Sequence, residues 1–398
     1  MEQLSARLLA LSPSETLVMS QKSSELKAQG VDVINLSVGE PDFNTPDHIK
    51  KAAKEAIENN FSFYSPVAGY PSLKKAISEK LKNENGLDYE PAQIVCSNGA
   101  KQSVCNTIFC LVGKDDEVII PAPYWVSYVE MVKLAEGKSV IIEAGLDQNF
   151  KITAEQLEKA ITPKTKALIL CSPSNPTGSV YTKEELKSLV DVLVKYPNIY
   201  VIADEIYEHI NYVGKHESIA QFPEIKERVA IINGVSKAYA MTGWRLGWLA
   251  APKWLAAACN KLQGQYTSGP SSIAQKAAEA AYVGSQDCVE EMRKAFLRRR
   301  NLVVELASKI KGFKVNEPAG AFYIFPECDY YFGKKTPEGK VIEDAADLAM
   351  YLLEVGHVAA VGGGAFGSPK CIRFSYATSD ENLKEAFKRI KETLDKIA

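Results

Sequence analysis

The sequence has no long hydrophobic run, few histidines and almost no net charge, and each shortage removes a class of function. No apolar stretch approaches the ~20 residues needed to cross a bilayer. Met1 to Leu11 lack a charged segment followed by a long apolar core, so no secretion signal is read there. The four histidines (48, 209, 216 and 357) form no HExxH, and the eight cysteines form no CxxC. Neither zinc chemistry nor any other metal site is expected. Scattered thiols in a chain this long read as reduced, mostly buried and cytoplasmic. The 47 Lys and Arg against 49 Asp and Glu leave a net charge of −2 with no block of one sign. That argues against nucleic acid or an anionic membrane as partner. The densest basic cluster, Arg298-Arg299-Arg300, lies in a helix-like stretch and reads as a solvated face.

What is present is a globular composition: 398 residues, 46% apolar and 24% charged, a length that suits roughly two domains. Between about 48 and 290, short apolar runs alternate with helix-period segments. The runs are Glu117–Pro121, Ala167–Cys171, Ile199–Ala203, Val229–Asn233 and Leu246–Ala250, each bounded by turn or polar residues as a doubly buried strand should be. Leu186, Leu189, Val190, Leu193 and Val194 mark one helical stripe between them. The alternation implies an α/β domain with a mainly parallel sheet flanked by helices, spanning 48–290. The C-terminal third shows strand-like Lys311–Val315, Ala321–Phe325 and Cys371–Ser375, with helical patterns at about 343–355 and 380–395. With the N-terminal segment it is expected to form a smaller α+β domain (1–47 and 291–398), joined by a long helix at about 287–310.

In open α/β sheets ligands bind beyond the carboxyl ends of the strands, so the residues after each strand are the candidates. They are Asn175, Asp204 with Tyr207, Ser236-Lys237, and Ser97-Asn-Gly-Ala-Lys101 opening a helix. Gly99 and Ala100 at a helix start offer backbone N–H groups to an anion, and Ser236 and Arg245 add donors suited to a phosphate. Lys237 after a buried strand is placed for a desolvated amine capable of Schiff-base chemistry. Asp204 beside it is placed to hold a cationic ring nitrogen. Such a lysine, acid and phosphate pocket together describe what pyridoxal 5′-phosphate requires. Taken singly, a lysine after a strand is more often solvent-facing, Asp204 could cap a helix, and Asn175 or Gly99 could simply close a turn. Their joint order favours the site. Gly362-Gly-Gly-Ala-Phe-Gly367 matches the dinucleotide GxGxxG string, but Ser368-Pro369 and a strand-like run follow where a helix is required. It reads as a flexible loop.

Ser236-Lys-Ala-Tyr-Ala-Met-Thr-Gly-Trp-Arg245-Leu-Gly-Trp248 resembles the lysine signature of the class I aminotransferases, pyridoxal-phosphate enzymes of fold type I. Gly39–Phe43, Tyr64 with Gly69-Tyr70-Pro71, Pro123–Tyr128, Ser174–Gly178, Ala203–Tyr207 and Arg373 carry the same resemblance, in order, from about Ser12 to the C-terminus. Within the family the chain looks most like the bacterial aspartate aminotransferases of the Iβ type. The resemblance implies that Lys237 forms the Schiff base with the cofactor and shuttles the proton. It implies that Asp204 pairs with the ring nitrogen, Asn175 and Tyr207 bond the ring oxygen, and Trp125 stacks on the ring. Gly99, Ala100, Lys101, Ser236 and Arg245 would bind the phosphate, and Arg373, assisted by the Gly39 backbone, the substrate α-carboxylate. Tyr64 would reach the phosphate of the neighbouring subunit, making the enzyme a homodimer with a shared site.

Lys101, Ser14 and Thr16 match positions that read a distal carboxylate in the Iβ type. This points to aspartate and 2-oxoglutarate as substrates in a ping-pong reaction, although Ser14 and Thr16 could instead cap the following helix. Trp125 and Tyr207 would also sit comfortably in any core. One departure stands out: Gly234 occupies a position where animal-type members place a phosphate-binding serine. Rival readings are an aminotransferase for prephenate, aromatic amino acids or alanine, a carbon–sulfur lyase of the same fold, a cofactor-sensing regulator, and a relative that has lost the cofactor. The regulator would need a DNA-binding domain, for which the ~50 residues ahead of the large domain leave no room. The retained lysine argues against the cofactor-free relative.

Overall fold

A computed structural model describes residues 4–397. The chain enters through the helix Glu15–Ala28 and a two-residue strand, β1 (Ile34–Asn35). Seven strands then build one sheet: β2 (Ile94–Ser97), β3 (Glu117–Ala122), β4 (Lys138–Glu143), β5 (Thr165–Cys171), β6 (Tyr200–Asp204), β7 (Val229–Gly234) and β8 (Gly247–Ala250). Their order is β2-β8-β7-β6-β5-β3-β4. Only β8 runs antiparallel to its neighbours; β3 to β7 pair in parallel.

The five expected apolar runs are all strands of this sheet, and alternation along them splits the core in two. Leu168, Leu170, Val201, Ala203 and Ile231 face one buried cluster. Ala167, Ile169, Ile202, Ala230 and Ile232 face the other. Helices cover both faces. Lys183–Val194 presents Leu186, Leu189, Val190 and Leu193 inward, and a capping box starts it: Thr182 Oγ1 accepts from Glu185 N (3.2 Å) while Glu185 Oε2 accepts from Thr182 N (2.8 Å). The sequence reading missed β4. It is an edge strand, Lys138-Ser-Val-Ile-Ile-Glu143, mostly partly exposed, so it lacks the bounded apolar run that marked the inner strands.

The helix Asp287–Ser308 leads into a second unit. There β9 (Tyr323–Ile324), β11 (Val361–Gly362) and β12 (Ile372–Ser375) form an antiparallel sheet in the order β11-β12-β9, and β10 (Val358–Ala359) pairs in parallel with β1. Leu36 from the N-terminal segment shares one core with Phe296, Phe322, Leu352, Phe374 and Phe387.

Three expectations for this part need correction. Lys311–Val315 is not a strand: Gly312 adopts φ +87° to turn the chain, and only Lys314 pairs, with Glu327. Arg298-Arg299-Arg300 is a solvated face only at Arg298. Arg299 is buried and makes a bidentate ion pair with Asp42 (2.7 and 2.9 Å), while Arg298 meets Asp380 and Arg300 meets Glu317. The 362–367 glycine string is packed rather than loose. A Cβ at Gly363 would lie 2.2 Å from the Ser368 carbonyl oxygen, and Gly367 (φ +74°) rests on the Tyr124 ring.

The carboxyl ends of β2, β3, β5, β6 and β7 share one edge, and β8 begins there. At that edge Gly247 lies so close to the start of helix Ala100–Leu111 that a Cβ would sit 2.1 Å from Ala100 N. Backbone cannot yield as a flexible side chain would, so Gly247→Ala is expected to destabilise the chain by about 3 kcal/mol, read from the midpoint of urea unfolding.

Candidate active site

The strand ends converge on a cavity of about 320 Å³. It is lined by Ser14, Thr16, Gly39, Ala100, Lys101, Trp125, Asn175, Asp204, Tyr207, Ser236, Lys237, Arg245 and Arg373, all expected from the sequence. Gly99 and Tyr64 are not among its lining residues. Gly99 lies just beneath Arg245, where a Cβ would meet Nη2 at 2.3 Å. Tyr64 stands on the surface, 98% exposed.

Each side chain arrives for a local reason. Asp204 is the last residue of β6, buried, and its carboxylate accepts from Tyr128 Oη (2.5 Å) and Ile206 N (3.3 Å). Burial pushes its pKa up to about 6 against the opposing pull of those bonds. Lys237, three residues beyond β7, is partly buried and donates from Nζ to the Gly39 carbonyl (2.6 Å). Burial brings its pKa down to about 8, Glu40 opposing and Arg245 and Arg373 assisting. The lysine therefore sits closer to neutrality than an exposed amine.

Arg373, on β12, is 2% exposed and has no acidic partner among the described residues. Nη1 donates to Asn175 Oδ1 (2.9 Å), Nη2 to the Ser37 carbonyl (2.5 Å), and Nε, also buried, has no partner. The ring centres of Tyr323 and Phe366 each lie 4.7 Å from the guanidinium carbon. The backbone carbonyl at Arg373 is thus that of Ser37. Gly39, expected to assist Arg373 in binding the α-carboxylate, lines the same cavity, and its carbonyl accepts from Lys237.

At the phosphate-like end, the first-turn N–H groups of Ala100 and Lys101 have no intrahelical partners. Arg245, in left-handed conformation (φ +55°), crosses over Gly99 and, among the described residues, donates only to the carbonyls of Thr242 (2.7 Å) and Asn98 (3.3 Å). Gly234 explains the missing serine: a Cβ there would lie 2.7 Å from Gly247 Cα and 2.8 Å from the Leu246 carbonyl oxygen, so no side chain fits. Lys101 Nζ stands 4.8 Å from the Trp125 ring centre. Ser14 and Thr16 hydroxyls are 2.8 Å apart, and Ser14, at the helix N-cap, makes no side-chain capping bond.

An excess of positive charge results. Lys101, Lys237, Arg245 and Arg373 line the cavity with no ion pair among the described residues, against the single carboxylate of Asp204. Pyridoxal 5′-phosphate fits this donor set: unpartnered backbone N–H groups and a guanidinium without an acidic partner for its phosphate, an amine for its carbonyl carbon, and an acid for its ring nitrogen. The sequence reading missed Tyr128, Ser37 and Tyr323. Tyr128 was within reach, because it follows Trp125 by one helical turn.

Behind the Asp204–Tyr207 segment, Glu84, Glu205, Glu208, His209 and His216 come close enough to form two groups of possible metal ligands. The Lys80 ammonium, itself buried and bonded to Glu208, already supplies a cation there.

The family described as "Aminotransferase class I and II" matches residues 31–390. A relative named "Probable aspartate/prephenate aminotransferase" from Rhizobium leguminosarum bv. phaseoli is 50% identical over 391 residues, covering 98% of each chain. A bifunctional aspartate aminotransferase and glutamate/aspartate-prephenate aminotransferase from Petunia hybrida is 46% identical over 396 residues, covering 98% of this chain and 82% of its own. Among solved structures, the aspartate aminotransferase of Rhizobium meliloti superposes with a TM-score of 0.97 at 44% identity over 100% of both chains. That of Thermus thermophilus with maleate gives 0.92 at 40% identity, covering 99% of this chain and 100% of its own.

The buried acid carries a stability cost with a definite sign. Asp204 holds its proton up to about pH 6 in the folded chain and to about 4 when unfolded, so stability falls as pH rises between those values. In cofactor-free protein, Asp204→Asn should therefore raise stability by about 3 kcal/mol at pH 7.5, with the gain shrinking as pH drops below 6. Urea unfolding at several pH values measures it.

Proposed function

The chain belongs to the class I and II aminotransferases, and from that premise we propose that it transfers the amino group of aspartate to 2-oxoglutarate, giving oxaloacetate and glutamate by a ping-pong route. The supporting observation is the charge inventory of the cavity. Four cations face one carboxylate, a positive excess suited to a phosphate and the two carboxylates of a dicarboxylic acid. Maleate, named with the Thermus thermophilus enzyme, is such an acid.

When bound, pyridoxal 5′-phosphate supplies a carbonyl that accepts the amine and a ring that accepts electrons from Cα. In our reading Arg245, Ser236, Lys101 N and Ala100 N hold its phosphate, with Gly99 leaving room for the Arg245 guanidinium. Asp204 would keep the ring nitrogen protonated, and Asn175 and Tyr207 would donate to the ring oxygen. Trp125 would cover one ring face. Lys237 would hold the carbonyl carbon and would serve as general base for the substrate Cα proton. Arg373 orients the α-carboxylate with a fork fixed by Asn175 and the Ser37 carbonyl. Lys101, with the Ser14–Thr16 hydroxyl pair, meets the distal carboxylate.

The 98% exposure of Tyr64 supports a homodimer in which Tyr64 of the partner subunit completes the phosphate site. Eight free thiols support a reducing compartment, the cytoplasm. A second reading, prephenate as amino acceptor, is favoured by the names of relatives and by its own two carboxylates, which the same pair of cations would take.

Lys237→Ala is expected to cut oxaloacetate formation from aspartate by ~10²–10⁴-fold; a near-native rate would refute the role of the lysine. Lys101→Ala should raise KM for aspartate ~10-fold while leaving KM for alanine almost unchanged. Equal changes for both amino acids in steady-state assays would remove Lys101 from the distal site.

A further inference from the structure

Tyr323 stands where three supports of the site meet. It is buried on β9 and paired in register with Ser375 on β12. Arg373 lies two residues before Ser375, on the same face, so the Tyr323 ring falls diagonally opposite Arg373, within reach of a long side chain. Its centre is 4.7 Å from the guanidinium carbon. Its hydroxyl is 2.8 Å from that of Tyr207. The same oxygen fills the space beside Gly39, where a Cβ would lie 2.1 Å away, and Gly39 is the residue whose carbonyl receives Lys237.

From this contact set, and resting on the function proposed above, we propose that Tyr323 is a positioning residue with two separable parts: a hydroxyl that donates to Tyr207 and a ring that seats Arg373.

The hydroxyl argument is one of proton counting. Two phenols 2.8 Å apart share one bond, and either oxygen can donate. Burial holds both phenols neutral. If Tyr207 is to donate its only proton to an anionic oxygen on the cofactor, the bond between the two phenols must run from Tyr323 to Tyr207. An incoming bond strengthens Tyr207 as a donor. The ring argument concerns charge. Arg373 has no acidic partner and one buried nitrogen without a bond, so aromatic faces supply a share of its stabilisation without neutralising it. The guanidinium is thereby fixed in place yet left with its full charge for an incoming carboxylate.

Two variants of the full-length holoenzyme separate the parts. Tyr323→Phe keeps the ring and removes the hydroxyl. Tyr207 then becomes a weaker donor, the anionic oxygen is less stabilised, and the nearby Lys237 nitrogen keeps its proton to higher pH. The pH midpoint of the bound cofactor's absorbance change should rise by about 0.5–1 unit, with KM for aspartate near the native value. Tyr323→Leu removes both parts. It should move the midpoint similarly and also raise KM ~10-fold for aspartate and alanine alike, because the α-carboxylate is common to both. A native midpoint in Tyr323→Phe overturns the hydroxyl role, and native KM values in Tyr323→Leu overturn the ring role. Lowered thermal stability with native midpoint and KM values would leave Tyr323 as packing alone and overturn both. If the native protein takes up no pyridoxal phosphate, the proposed function itself fails, an outcome distinct from the other three.

Discussion

The site depends on positive charge that the protein does not neutralise. A buried guanidinium or ammonium normally finds a carboxylate, and this chain makes such pairs elsewhere: Arg299 with Asp42, Lys80 with Glu208. At the sheet edge it withholds them. Arg373 is given carbonyl oxygens and aromatic rings, Arg245 only backbone carbonyls, Lys237 the carbonyl of Gly39. Neutral acceptors satisfy directional bonding without cancelling the field, and the burial of Arg373 and part-burial of Lys237 keep it strong there, whereas Arg245 and Lys101 stand exposed at the rim. Anionic ligands therefore complete an electrostatic balance that the folded chain leaves open.

That arrangement needs backbone to come closer than side chains normally allow. Gly234, Gly247 and Gly99 form a stack in which β7, β8 and the start of helix Ala100–Leu111 nearly touch, with Arg245 laid across it. Gly234, where animal-type members carry a serine, belongs to this stack. It is a packing requirement at the junction of two strands, and it brings Arg245 and the helix N-terminus to one place.

Much of this was legible in the sequence because the inner strands carry their own signal. Ala167–Cys171 and Val229–Asn233 are apolar on both faces, and the polar residues after them stand out by contrast. Asn175, Asp204, Ser236 and Lys237 could be read this way. The edge strand β4 could not, since a half-exposed strand ending in Lys138 and Glu143 has no such run. Arg299 misled because three consecutive arginines read as solvated, whereas the partner Asp42 lies more than 250 residues away in the chain. Ser37 and Tyr323 stayed hidden for a related reason. One acts through its backbone carbonyl, which no side-chain pattern reveals, and the other through a strand of two residues whose register with β12 only the tertiary fold defines.

The parallel pairing of β1 with β10 has a bearing on synthesis. Ile34 leaves the ribosome roughly 320 residues before its partner Val358. The seven-stranded sheet lies wholly between them and can close while the nascent chain is still growing. Leu36 and its neighbours have no complete core to join until the residues up to about Phe387 have emerged, and they are the stretch a holding chaperone would shelter in the interval.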